Sequence, residues 1–195
     1  MARLPLDVQQ ALQRQAPRQL KNKFKKEVDK KFKRIKNEMI KEFLQLPVTQ
    51  ELLQGPDGLN ISGTLGGVTN LFAFIGFDKG DQPITPILQL LENTSIEYSK
   101  ELRQIKNIGI SYNVNLPTSE QIFAITPMPW AVGRSWAKGI ETGISGLGYL
   151  LRKNSRGRSG AAIQSRVKVR GGRFKNTAYI SAFINKYKKK FRELK

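Results

Sequence analysis

The stretch KFKKEVDKKFKRIKNEMIKEFLQLP, residues 23–47, decides how this chain is built. Phe24, Val28, Phe32, Ile35, Met39, Phe43 and Leu46 follow one another at steps of 4, 4, 3, 4, 4 and 3 residues. That spacing lines side chains along one side of an α-helix. Lys21, Lys23, Lys25, Lys26, Lys30, Lys33, Arg34 and Lys36 cover most of the remaining surface. The pattern predicts a long amphipathic helix from Arg18, ended by Pro47. Its narrow stripe has to pack on one surface, either the chain's own domain or a neighbouring subunit. Residues 6–16 predict a shorter helix stopped by Pro17.

The far end mirrors this. Thr177 is expected to open a last helix with Tyr179, Ile180, Phe183, Ile184, Tyr187, Phe191 and Leu194 on one side. Lys186, Lys188, Lys189, Lys190 and Arg192 lie on the other. Each basic helix reads first as a cover for a core with a charged back. A nucleic-acid arm and a membrane-surface helix are the alternatives. The stripes lack the Trp that a membrane helix favours, and no lipid-anchor motif adjoins them.

Between the ends the signals change. Residues 54–70 form a Gly-rich loop with room for a short strand. Leu71–Phe77 reads as a buried strand bounded by Asp78-Lys79-Gly80-Asp81. Pro83 and Pro86 frame a short helix over 87–91, and 95–100 is a candidate strand. Ile108, Ile110, Tyr112, Val114 and Leu116 alternate with Gly109, Ser111, Asn113 and Asn115, the clearest strand, with one wet face. Thr118 and Gln121 form a capping box for a brief helix. Residues 126–136 read as a proline and aromatic turn. Residues 135–151 predict a helix carrying Trp136, Ile140, Ile144, Leu147 and Leu151. On it Gly139, Gly143 and Gly146 mark a face that another backbone approaches closely, since each glycine costs a solvated helix roughly 1 kcal/mol. Ile163, Val167 and Val169 alternate with cations as a further strand. The elements amount to an α+β chain with three parts: a basic helical arm over 1–47, a core over 48–172 with a basic loop and strand at 152–172, and a basic C-terminal helix over 173–195.

Charge follows those boundaries. The chain of 195 residues has a formal net charge of +19. Its middle, residues 42–151, holds 6 Lys/Arg against 10 Asp/Glu. Both ends are polycationic, so they are expected to face a polyanion or an acidic protein surface. With no Cys and no His, thiolate chemistry, the commonest general base and the commonest metal ligand are missing. Asp57, Asp78, Asp81 and Glu141 follow no metal-ligand spacing, and no nucleophile stands beside a base. The reading is therefore not an enzyme, with no cofactor and no metal. The first residues lack the long apolar run of a secretory signal, and 140–151 is too short to span a bilayer. A soluble product of the cytoplasm is expected.

The leading functional residues are Arg152, Lys153, Arg156, Arg158, Arg166, Lys168, Arg170 and Arg173, which have no acid among them. Six of these eight are Arg, the residue suited to bidentate phosphate contacts. An acidic protein neighbour or plain solvation are the other readings. Ser62-Gly-Thr-Leu-Gly-Gly has the texture of a phosphate cradle but lacks Gly-Lys-Ser/Thr, so it reads as a structural loop. Trp130 and Trp136, flanked by Pro127 and Pro129, are expected to pin a corner or anchor an interface. Phe24, Phe32, Gly139 and Gly143 complete the candidate interface residues.

Three blocks carry a resemblance: Asn60-Ile-Ser-Gly-Thr-Leu-Gly-Gly through Asp81-Gln-Pro-Ile-Thr-Pro; residues 126–146, TPMPWAVGRSWAKGIETGISG; and residues 169–180, VRGGRFKNTAYI. In order and texture they resemble head–tail joining (neck, or tail-completion) proteins of tailed bacteriophages. The resemblance implies a small mixed or antiparallel β-sheet flanked by helices, in a subunit that assembles as a ring between capsid portal and tail tube. It carries over no catalytic residue. The partners implied are copies of itself, in a ring of about six or twelve, portal or adaptor and tail proteins, and packaged DNA as a non-specific contact. No membrane is involved. Made in the host cytoplasm, such a subunit ends in the neck of the virion. The rival expectation is a nucleic-acid-binding protein without sequence preference, using the basic ends as its device.

Overall fold

The computed structural model describes residues 6–66, 70–98, 102–104, 107–109, 111–129, 131–144 and 174–194. Helix α1 (Leu6–Gln45) is continuous. The expected stop at Pro17 does not occur, because proline's fixed φ is itself helical and the loss is confined to one hydrogen bond and a local clash. From residue 28 on, the predicted stripe is the buried side: Val28, Phe32, Met39 and Phe43 are inside and Ile35 and Leu46 partly so. Phe24, its first member, is 42% exposed. Pro47 ends α1 as expected and opens α2 (Pro47–Leu53) at the first-turn position that tolerates proline.

A 3-10 turn (Gly55–Asp57) and an irregular segment lead to α3 (Leu71–Ile75). The buried strand expected over 71–77 is a helix instead. An unbroken apolar run satisfies either periodicity, and the ends decide. Asn70 caps the start by accepting from the Ala73 N–H at 2.8 Å. Gly76, at φ 91° and ψ 28°, closes the end in the left-handed region. There the Phe77 N–H reaches the Phe72 carbonyl at 3.2 Å, the Gly76 N–H reaches that of Ala73 at 3.1 Å, and the Phe72 and Phe77 rings meet at 5.3 Å. These are the two bonds and the apolar contact of a Schellman stop.

The short helix expected over 87–91 is α4 (Thr85–Glu92). Lys36 of α1 donates to the Glu92 and Thr94 carbonyls at 2.5 and 2.9 Å, satisfying acceptors that the end of α4 leaves open. A hairpin follows. β1 (Ser95–Tyr98) pairs antiparallel with β4 (Tyr112–Asn115), and β2 (Leu102–Gln104) with β3 (Asn107–Gly109). The strand expected over 108–116 is thus two short ones. Three residues separate β1 from β2 and two separate β3 from β4, so the register slips by one between the ladders. The wet face is present at Asn113 and Asn115, while Tyr112 and Val114 face inward. Tyr98 docks the hairpin on α1: its hydroxyl donates to Asp29 at 2.7 Å, and the Lys25 ammonium lies 4.9 Å from its ring centroid.

Helix α5 (Ser119–Ala124) starts with the predicted capping box of Thr118 and Gln121. The expected turn over 126–136 is a small hairpin of β5 (Pro127–Met128) and β6 (Ala131–Ser135). Helix α6 (Trp136–Thr142) is much shorter than the expected 135–151, because Gly143 at φ 97° and ψ 131° turns the chain out of the helix. Leu147, Leu151 and Gly146 lie outside the described residues, as does the strand expected over 163–169. The close approach expected along the glycines comes from side chains of the same chain. A Cβ on Gly139 would sit 3.0 Å from Ile144 and 3.1 Å from Met128.

The chain re-enters at 174–179 beside the point where it left. The Phe174 ring stacks on Phe74 at 5.8 Å, the Lys175 N–H meets the Thr64 carbonyl at 2.9 Å, and the Thr177 N–H meets that of Ile140 at 3.1 Å. Helix α7 (Ile180–Arg192) begins three residues later than Thr177. Glu141 holds that start, accepting from the Ser181 N–H and hydroxyl at 2.6 Å each. The fold is α+β: helices around antiparallel two-stranded ladders. One hydrophobic cluster takes residues from α1, α2, α3, α4, α5, α6 and α7.

Candidate functional site

Helices α1 and α7 lie side by side and antiparallel. Phe32 meets Phe191 at 5.5 Å and Phe43 meets Phe183 at 5.7 Å between ring centroids, so rising numbers on one helix match falling numbers on the other. Ion pairs follow the same order outside the seam, Glu38 with Lys190 and Glu42 with Lys186, both at 2.5 Å. Residues 32–43 of α1 and 183–191 of α7 are therefore packed along one seam.

Both helices carry exposed cations. Lys23, Lys26, Lys30 and Lys33 are exposed at steps of 3, 4 and 3 residues, a single row along the outer side of α1, with Arg34 beside it. Lys186, Lys188, Lys189 and Arg192 are exposed on α7. The long side chains keep their charges in water while their stems cover the helices. Such a row attracts a polyanion through many weak, salt-sensitive contacts rather than one pocket.

Glu42 shows how the seam is held. Burial works to raise its carboxyl pKa, but hydrogen bonds from Lys186 and the Tyr187 hydroxyl (2.7 Å), with the charges of Lys186 and Lys190, outweigh it and leave the group below its ordinary range. A carboxyl depressed on folding stabilises in full above its unfolded pKa of about 4.3 and loses that contribution as pH falls through the lower folded value. Wild type and Glu42→Gln should therefore differ in Tm near neutral pH and converge below about pH 4. Lys186 is half exposed, so the gap should be small, on the order of 1 kcal/mol or less. Parallel melts across pH check it.

The sequence-predicted residues separate cleanly. Arg152, Lys153, Arg156, Arg158, Arg166, Lys168, Arg170, Arg173 and Trp130 lie outside the described residues. Phe32 and Trp136 are buried in the chain's own core, Trp136 against Phe77 at 6.0 Å and Tyr179 at 6.4 Å. Gly139 and Gly143 face Ile144, Met128 and Asn176 of the same chain. Phe24 remains at the surface.

The loop with a cradle's texture is occupied from within. Glu51, fully buried, accepts from the Ser62 N–H at 3.0 Å, the Leu71 N–H at 2.6 Å and the Asn60 amide at 2.9 Å. Of the residues with a cradle's texture, Ser62 thus gives its N–H to the chain's own interior, as a structural loop does. Glu51 was not singled out in the sequence. The Gly- and Asn-rich loop that follows it was the available signal, since such a loop needs an internal acceptor. Among the described residues no three of Asp, Glu, His or Cys gather as a metal site, and no helix is long and apolar enough to cross a membrane. Comparison with family models, curated proteins and solved structures gives no match for this chain.

Proposed function

We propose that this protein is a structural subunit of a bacteriophage neck. It forms a closed ring that joins the capsid portal to the tail around the DNA exit channel, and it catalyses no reaction. The observation that carries the reading is the set of exposed cations on α1 and α7, two helices joined side by side by their aromatic seam. A chain with a net charge of +19 repels itself, and that repulsion is relieved where its cations meet DNA or an acidic ring. The order and texture of residues 60–86, 126–146 and 169–180 support the neck assignment. In a closed ring, one surface of each copy meets a different surface of the next.

Size-exclusion chromatography with light scattering, followed by sedimentation with capsids and tails, tests it. Rings that co-sediment are expected; a monomer at high concentration that never co-sediments would sink the reading. Changing Arg156, Arg158, Arg166 and Arg170 together to Gln should leave Tm unchanged and reduce DNA retention or docking to the neighbouring ring. An equal loss of Tm would show that these arginines hold the fold instead.

The lysine row of α1 favours one second reading, a free nucleic-acid-binding protein without sequence preference. Tight monomer–DNA complexes, with log K falling steeply against log salt, would select it.

A further inference from the structure

Among the described residues, the large apolar side chains at the surface are Phe24, Leu53, Leu59, Ile61 and Ile125. Leu53, Leu59 and Ile61, at 53%, 76% and 47% exposure, belong to the end of α2 and the turn after it. A loose loop would bring such side chains inward. This one is fixed from beneath. Glu51 takes the Ser62 N–H and the Asn60 amide, Gln54 takes the Leu59 N–H at 3.2 Å, and the two N–H bonds of the Asn70 amide are shared among the Gly55, Pro56 and Gly58 carbonyls at 3.1, 2.5 and 3.0 Å. The turn thus holds three aliphatic groups in water on a backbone ordered before any partner arrives, which lowers the entropy cost of binding.

The turn carries no cation of its own. No Lys or Arg occurs between Lys41 and Lys79, and Asp57, on the same turn, is exposed. On a protein of +19, a basic helix of a second copy meets one favourable charge here and no cation of the turn itself.

We propose that the turn over 53–61 is a contact surface for a second copy of this chain, seated against the lysine row on the neighbour's α1. Lysine stems there cover Leu59 and Ile61, while an ammonium reaches Asp57. The contact is heterologous, apolar turn to basic helix, so it propagates around a ring. It rests on the ring reading above and names the surface that reading requires.

The chain contains no Cys, so Leu59→Cys gives a single labelling point. A benzophenone maleimide attached there, irradiated and analysed by peptide mass spectrometry, is expected to yield adducts between chains on α1 peptides. The double variant Leu59→Asp with Ile61→Asp is expected to weaken self-association about tenfold or more, with an unchanged circular dichroism spectrum because both side chains are exposed. Oligomers of wild type that persist undiminished in the double variant, with adducts absent, confined to one chain or found only on portal or tail proteins, would overturn the surface and leave the ring standing. A wild-type protein that stays monomeric at high concentration would overturn both.

Discussion

Truncating Phe43 to alanine is expected to part the two terminal helices and lower Tm by about 10 °C. The ring is fully buried and meets Phe183 at 5.7 Å and Tyr179 at 6.3 Å. It belongs to a continuous chain of rings from Phe32 through Phe191, Tyr187, Phe183, Phe43, Tyr179, Trp136 and Phe77 to Phe72, each within 6.5 Å of the next. Removing a core phenylalanine costs about 3–5 kcal/mol, and each kcal/mol moves Tm by roughly 2–4 °C in a protein of this size. Phe43→Leu keeps most of the apolar volume and should lose less than half as much. Thermal circular dichroism measures both, and Trp136 emission in a Trp130→Phe background follows the packing around Tyr179. An unaltered Tm in Phe43→Ala would mean that α7 is not part of the cooperative core.

Glu51→Ala should be nearly as damaging, by a different route. Three donors, the Ser62 and Leu71 N–H groups and the Asn60 amide, lose their acceptor in a buried setting. A buried donor left unpaired costs about 1–3 kcal/mol, so a loss on the order of 3–5 kcal/mol is expected. Glu51→Gln retains one acceptor oxygen and sets an NH2 group against a remaining N–H, so its loss should fall between Glu51→Ala and wild type. Hydrogen exchange distinguishes this from a general weakening: peptides covering 54–66 should lose protection first, ahead of α7. Uniform loss across the chain would show that Glu51 supports the whole core and not the turn.

The helices at the two ends were legible because their signal is long. The α1 stripe from Val28 to Leu46 and the α7 stripe from Tyr179 to Leu194 repeat over several turns, and the Thr118–Gln121 capping box is a local rule that the fold obeys. Short elements were not so decided. Residues 71–77 fit strand and helix alike until Asn70 and Gly76 are given their capping roles, and Gly143 outweighs the periodicity that would carry α6 further. The Ala131–Ser135 strand forms by pairing with Pro127–Met128, a contact that neither segment announces alone. The placing of the cations was half visible. The lysines could be counted on each helix, but the side-by-side placing of the two helices depends on Phe32, Phe43, Phe183 and Phe191 meeting across the fold. The buried Glu51 was invisible for a related reason: its partners are backbone groups, which have no letter in a sequence.

The Ile140 carbonyl and the Thr177 N–H meet at 3.1 Å, with Glu141 bound to Ser181 just beyond. The described residues before 145 and after 173 are therefore held beside each other. Chain-closure entropy rises only logarithmically, by about 0.6 kcal/mol for each doubling of length. Joining points held this close let the chain length between them vary across descendants at small entropic cost to the contacts at Ile140, Glu141, Thr177 and Ser181.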